Sequence, residues 1–207
     1  MIDINRGGLR ISYEDDSAKT QRYMDADLLS ALMIMGRDGR CGREALAEKI
    51  GVGYGSIRSI LKTLSASGLV DIYRTGSVLS TTGKKFMDSC PISLADCTLP
   101  ECSVGGVQAA VKVIDSAESI TNGMLQRDCG IYAGGLGCTT VVYRNGRLLM
   151  PPDTDISEMY PESAEKIIES ANPSEGDVII FGEGKDTPSA LRAATVAAMR
   201  SLGEKKQ

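Results

Sequence analysis

Over residues 42–88 apolar positions recur at helical spacing, then alternate, then return to helical spacing. That succession predicts a winged helix-turn-helix. Leu46, Ala47 and Ile50 fall on one side of a first helix that Gly51 stops, Val52 and Gly53 turn the chain, and Ile57, Ile60, Leu61 and Leu64 form the buried stripe of a second helix. The same spacing turns Tyr54, Gly55, Ser56, Arg58, Ser59 and Lys62 outward. Gly68 ends the second helix, residues 69–73 and 77–79 read as two short strands around an Arg74-Thr75-Gly76 turn, and Thr81 or Thr82 opens another helix with Lys84 and Lys85 in its first turn. Upstream, residues 25–35 predict a helix capped by Asp25 or Asp27, with Leu28, Leu29, Leu32, Met33 and Met35 facing the core. Residues 7–13 read as a strand or a flexible arm, and the acidic run Glu14-Asp15-Asp16 argues against an arm that enters a minor groove.

The pattern changes after residue 88. Pro91, Pro100 and Gly105-Gly106 mark residues 89–106 as a linker. From Val107 the order is a strand over 108–114, a helix from Asn122 to about 133 capped by Thr121 and stopped by Gly134-Gly135, and a strand over 138–143. The Asn145-Gly146 hairpin then leads into a strand over 147–150, Pro161 opens a helix that ends at Asn172-Pro173, residues 177–181 form a buried strand, and a last helix runs from Thr187-Pro188 to Leu202. A β-α-β-β-α-β-α order predicts a small α/β sandwich over 107–207, behind a winged-helix domain over 1–88, so the chain is α+β overall.

Composition narrows the function. With 42% apolar and 24% charged residues in 207, the chain has the make-up of a soluble globular protein of two ordinary domains. No stretch reaches the length of a membrane span, and residues 1–5 lack the basic start and apolar core of a signal peptide, so a cytoplasmic protein with no membrane partner is expected. Few aromatic residues argue against base stacking on an aromatic platform. There is no histidine, which removes Ser-His and Cys-His nucleophile pairs, histidine zinc sites and imidazole acid/base chemistry. No enzyme activity and no cofactor are therefore expected.

Charge is divided along the chain. Residues 36–89 hold nine Lys/Arg against five Asp/Glu, a net of +4, whereas residues 90–207 hold ten against sixteen, a net of −6. The basic excess coincides with the helix-turn-helix, where a duplex would be met. Arg43, Tyr54, Ser56, Arg58, Ser59, Lys62, Arg74 and Lys84 are the candidate DNA contacts, and a homodimer reading two half-sites of double-stranded DNA is the economical arrangement. Cys90, Cys97 and Cys102 lie seven and five residues apart in the linker, without the CxxC spacing zinc prefers. With Cys41, Cys129 or Cys138 they leave a thiol cluster open, but reduced, unligated cysteines are the expectation.

The C-terminal half offers two candidate sites for a small anionic effector. The first is Gln126-Arg127-Asp128, on a helix expected to bury Leu125, Cys129 and Tyr132, followed by the glycines at 134, 135 and 137. Arg127 presents a planar fork suited to a carboxylate or phosphate, or else it pairs with Asp128 or Asp177 and braces the fold. The second is the segment after the strand at 177–181, where Gly184, Lys185 and Thr187 lie at the N-terminus of the last helix. Glu183 and Asp186 put negative charge at the same place, so a plain capped turn is the alternative.

These residues resemble a known family. GREALAEKIGVGYGSIRSILKTL, a wing and LSTTGKKF are similar to the DNA-binding half of archaeal winged-helix proteins whose second half is a domain of unknown function. NGMLQRDCGIYAGGLGCTTVVYRNGRLLMPP resembles that domain's signature at Gly123, Gln126, Arg127, Asp128, Ala133, Gly134, Gly137, Thr139, Gly146 and Pro151, and GDVIIFGEGKD resembles its next strand and loop. The cysteine-rich linker departs from the pattern. The resemblance implies transcriptional regulation and names no effector. Together the residues predict a sequence-specific DNA-binding regulator with a sensing or dimerising C-terminal domain. The alternatives are a small-molecule enzyme or anion-binding protein using the α/β half, and a winged helix that docks protein in an assembly.

Overall fold

A computed structural model describes residues 2–5, 8–11, 23–152 and 154–202. Strands β1 (Ile2–Asn5) and β2 (Gly8–Ile11) form a two-stranded sheet, so the expected strand over 7–13 is met in part. The acidic run at 14–16 lies outside the described residues. The chain divides into two compact units between Cys90 and Pro91.

The first unit is a winged helix-turn-helix. Helix α1 (Asp25–Asp38) buries every residue from Ala26 to Met35 and packs on α2 (Arg43–Ile50), α3 (Tyr54–Ala66) and α4 (Thr81–Ser89). The N-cap of α1 is Met24, not an aspartate. Asp27 acts from the third helical position, its carboxylate accepting the Met24 N–H at 2.8 Å, one arm of a capping box. The α1–α2 corner is held by Asp38, which accepts from Arg37 at 2.7 Å and from Lys49 at 2.6 Å; these hydrogen bonds, Arg37 first, draw its pKa down to about 2. Gly51 closes α2 with φ 75°, and Val52 N–H returns to the Ala47 carbonyl, which sets the tight turn into α3. Strands β3 (Val70–Tyr73) and β4 (Gly76–Leu79) make the wing, with Tyr73 opposite Gly76. Cys41 bridges to Ser77 beside them. Ser80 caps α4 by accepting from Gly83 N–H at 2.9 Å.

The second unit is built on a six-stranded sheet, and every adjacent pair in it is antiparallel. Its strands are β5 (Ile92–Ala95), β6 (Val107–Val113), β7 (Gly137–Arg144), β8 (Arg147–Met150), β9 (Thr154–Asp155) and β10 (Val178–Gly184), in the order β5-β6-β10-β7-β8-β9. Helices α5 (Met124–Tyr132) and α8 (Thr187–Leu202) pack together on one face. On the other face α6 (Ile156–Met159) and α7 (Pro161–Ala171) bury Ile156, Ala164 and Ile167 against Val141, Leu148, Ile179 and Phe181. The result is an α/β sandwich with the sheet between two helical layers.

The structure differs from the sequence reading over 89–106, expected as a linker. Ile92–Ala95 is an edge strand in register with β6 (Ile92 opposite Val113), and Leu99 is fully buried in the core of the second unit. Ile92, Ala95 and Leu99 are apolar at positions where burial outweighs the prolines' resistance to regular structure. Helix α5 begins later than expected, at Met124, with Gly123 as its left-handed N-cap in place of Thr121. The Asn145-Gly146 turn is of the primed type, with φ 51° and 76°.

Candidate nucleic-acid interface

Helix α3 buries Ile57, Ile60, Leu61 and Leu64 and leaves Tyr54, Gly55, Arg58, Ser59 and Lys62 exposed, with Ser56 half-buried. Arg58 and Lys62 stand one turn apart on that outer face. They line a groove of about 480 Å³ together with Arg43, Ser65, Ala66 and Ile72. Arg43 opens α2, and its guanidinium donates to the Tyr54 hydroxyl at 3.1 Å and lies 5.8 Å from the centre of that ring. Two helices thus bring three cations to one depression, and β3 adds Ile72. Among the described residues no carboxylate forms an ion pair with Arg58 or Lys62.

The other expected contacts are placed separately. Arg74 is exposed in the turn of the wing, and Lys84 is exposed on α4; neither lines the groove. The Ser59 hydroxyl is turned back to the Gly55 carbonyl at 3.2 Å. Three groove residues, Ser65, Ala66 and Ile72, escape the sequence pattern. Ile72 shares a strand face with Val70, so alternation marks it as core; it is 44% exposed because that face runs past the end of the buried stripe. Arg40 sits over the Tyr73 ring at 4.9 Å and donates to Thr75 Oγ1 at 3.0 Å, which braces the wing on either side of Arg74.

The C-terminal candidates are dispersed. Gln126 points inward, 2% exposed, its amide donating to Ser201 Oγ of α8 at 3.0 Å. Arg127 and Asp128 point outward and pair with each other at 2.9 Å, their side chains 53% and 60% exposed. The buried stripe of α5 is Gln126 and Gly130, continued by the C-cap Ala133; Leu125 and Cys129 are half-buried and Tyr132 is 83% exposed, so the expected stripe is displaced by one residue. Asp177 does not meet Arg127: it is buried, and its carboxylate accepts from the Asp115 and Ser174 N–H groups at 3.0 and 2.9 Å.

The loop expected after Phe181 is strand as far as Gly184, with Gly182, Glu183 and Gly184 all buried. A Cβ on Gly182 would stand 2.2 Å from the Ala190 carbonyl oxygen, and one on Gly184 2.2 Å from Ser189 Oγ, so these glycines serve the close approach of α8. The start of α8 already holds a carboxylate. Asp186 accepts the Ser189 N–H at 2.9 Å and the Ser189 hydroxyl at 2.6 Å, bonds that hold its carboxyl below the ordinary range. Lys185 and Thr187 are exposed beside it.

The linker thiols divide between the two units. Cys90 is buried at the end of the first unit, while Cys97 and Cys102 pack against the core of the second. Burial raises the Cys97 thiol to about 11 and Cys138 to about 12, which disfavours the thiolate that metal binding or exchange requires. Among the described residues no group of three or more His, Cys, Asp or Glu is arranged to hold a metal ion, and no helix is long and apolar enough to cross a membrane.

Residues 104–202 match the family model of a domain of unknown function, DUF4443. The fold is similar to that of the hypothetical protein PH0730 from Pyrococcus horikoshii OT3, with a TM-score of 0.68 at 24% identity over 86% of this chain and 91% of that one. No curated protein matches the chain.

Proposed function

We propose that the chain is a sequence-specific DNA-binding transcriptional regulator that acts as a homodimer, with α3 as its reading helix and the second unit as the seat of contact between copies. The observation that carries this reading is the groove that gathers Arg43, Arg58 and Lys62 on the outer side of a helix-turn-helix. A duplex offers phosphates at close, regular spacing, and cations that have no carboxylate ion pair among the described residues neutralise those phosphates and release the counterions condensed on the duplex. The short polar face of α3 suits a major groove, where Arg58 meets base edges and Lys62 meets backbone. Ile72 supplies an apolar contact for sugar or a thymine methyl beside them. A net charge of −6 over residues 90–207 keeps non-specific adhesion low and concentrates affinity in the first unit.

The test is selection of bound fragments from the source genome, followed by titration of the best fragment across a salt series. Arg58→Ala is expected to weaken binding by about 1–3 kcal/mol and to relax preference at one base pair, whereas Lys62→Ala weakens all sequences alike and reduces the salt slope by about one. Both side chains are exposed, so melting temperature is expected to hold. Failure of the unaltered protein to retain any duplex at low salt would overturn the reading in favour of a winged helix that docks protein.

A further inference from the structure

Helix α5 turns an apolar face to solvent. Of its exposed residues Met124, Arg127, Asp128, Ile131 and Tyr132, three are large and apolar, at 51%, 51% and 83% exposure for Met124, Ile131 and Tyr132. Beyond the helix Leu136 is 49% exposed and Val104 72% exposed. Buried Glu183 joins these last two segments: its backbone carbonyl accepts the Leu136 N–H at 2.7 Å, and its carboxylate accepts the Val104 N–H at 2.8 Å and the Ser103 hydroxyl at 3.0 Å. Three large apolar side chains exposed on one nine-residue helix, with Leu136 and Val104 exposed beyond it, are more than the singly scattered residues that need no explanation.

The two charges at the centre of that face identify its occupant. Arg127 and Asp128 are adjacent, and their charges cancel. A face of zero net charge does not attract nucleic acid or anionic lipid. It is, however, complementary to itself. If a second α5 packs antiparallel across a two-fold axis midway between residues 127 and 128, each Arg127 lies opposite the partner's Asp128, and each Met124 lies opposite the partner's Ile131. Positions 124, 127, 128 and 131 are the seam that a helix presents to a neighbouring helix. Tyr132 then falls over the partner's Gly123, where no side chain stands in the way. An isologous interface demands such reciprocal pairing, and a symmetric dimer is the commonest solution.

We infer that α5 is the homodimer interface of this protein, two copies docking antiparallel through Met124, Arg127, Asp128, Ile131 and Tyr132. The inference deepens the homodimeric part of the function proposed above. It is tested by sedimentation equilibrium of the full chain without DNA, so it does not depend on an operator. Arg127→Asp sets like charges opposite each other twice, and Ile131→Glu buries a carboxylate in the seam; each is expected to raise the dimer dissociation constant roughly a hundredfold or more. Arg127→Asp mixed with Asp128→Arg is expected to recover a heterodimer, because every pair across the axis is again opposite in sign. Met159→Glu, a 55%-exposed position on α6 across the sheet, is the control and is expected to leave the dimer unchanged. Melting curves of all variants verify the fold. A dimer indifferent to Arg127→Asp and Ile131→Glu would overturn α5 as the interface while sparing the homodimer. A chain that stays monomeric at high micromolar concentration would overturn both.

Discussion

Thr139 and Thr140 are adjacent in a strand-forming run and look alike in the sequence, yet they meet different surroundings. Thr139 Oγ1 donates to the Cys102 carbonyl at 3.3 Å, a partner 37 positions earlier in a segment that reads as a linker. Thr140, opposite Ile180 and 3% exposed, carries the only buried side-chain oxygen or nitrogen among the described residues without a hydrogen-bond partner. A buried hydroxyl left unpaired costs about 1–3 kcal/mol relative to an apolar group of the same shape. Thr140→Val is therefore expected to leave stability unchanged or raise it by about 1 kcal/mol in urea denaturation. A loss of more than about 1 kcal/mol would mean that an internal water satisfies the hydroxyl. Gln126 shows the same dependence on distant partners. Its neighbours Arg127 and Asp128 are visible in the sequence as a charged pair, but its own role became readable only when α8 placed Ser201 within reach.

At the scale of elements, what local chemistry dictates was legible and what depends on approach was not. The stripe of α3, the stop at Gly51, the wing, the Asn145-Gly146 hairpin and the Pro161 helix start all follow from neighbours in sequence. In the run GDVIIFGEGKD the strand is met, but it extends over residues 182–184, which read as a loop, because glycine has two uses. It permits turns, and it also permits another backbone to come close. Here the second applies: α8 presents fully buried alanines at 190, 193, 194 and 197 to the sheet, and Gly182 meets it with no side chain. Gly182→Ala must move the helix away from β10 and is expected to cost about 1–3 kcal/mol. Gly55→Ala is the contrast. Its Cβ would enter open space on an exposed helix face, so it is expected to gain about 0.5–1 kcal/mol. Equal losses for the two in thermal melting would refute the close approach of α8 as the reason for Gly182. Burial on α5 was displaced by one residue for a related reason. Gly130 lets β7 approach, a Cβ there standing 2.5 Å from Cys138 Sγ, and this fixes which side of the helix faces in.

For the molecule as a whole, the proposed reading and the proposed interface make one joint prediction about DNA. A single winged helix offers few phosphate contacts, so useful affinity needs two copies on one duplex. When the copies are joined, binding of the first raises the effective concentration of the second at its half-site, and affinity rises by roughly a hundredfold or more without a new contact. Two variants then separate by the site they are offered. Lys62→Ala removes a cation from the groove and is expected to weaken binding to an isolated half-site and to a paired site alike. Ile131→Glu touches no groove residue and is expected to leave the isolated half-site unchanged while the paired site loses the joint advantage. Titration of both variants against both duplexes, at one fixed salt concentration, gives four affinities whose pattern is diagnostic. If Ile131→Glu weakens the isolated half-site as much as the paired one, the residue acts through folding or through DNA itself, and the division of labour between a reading unit and a pairing unit fails. If it weakens neither, the copies meet elsewhere, and the solvent-facing residues of α5 need another account.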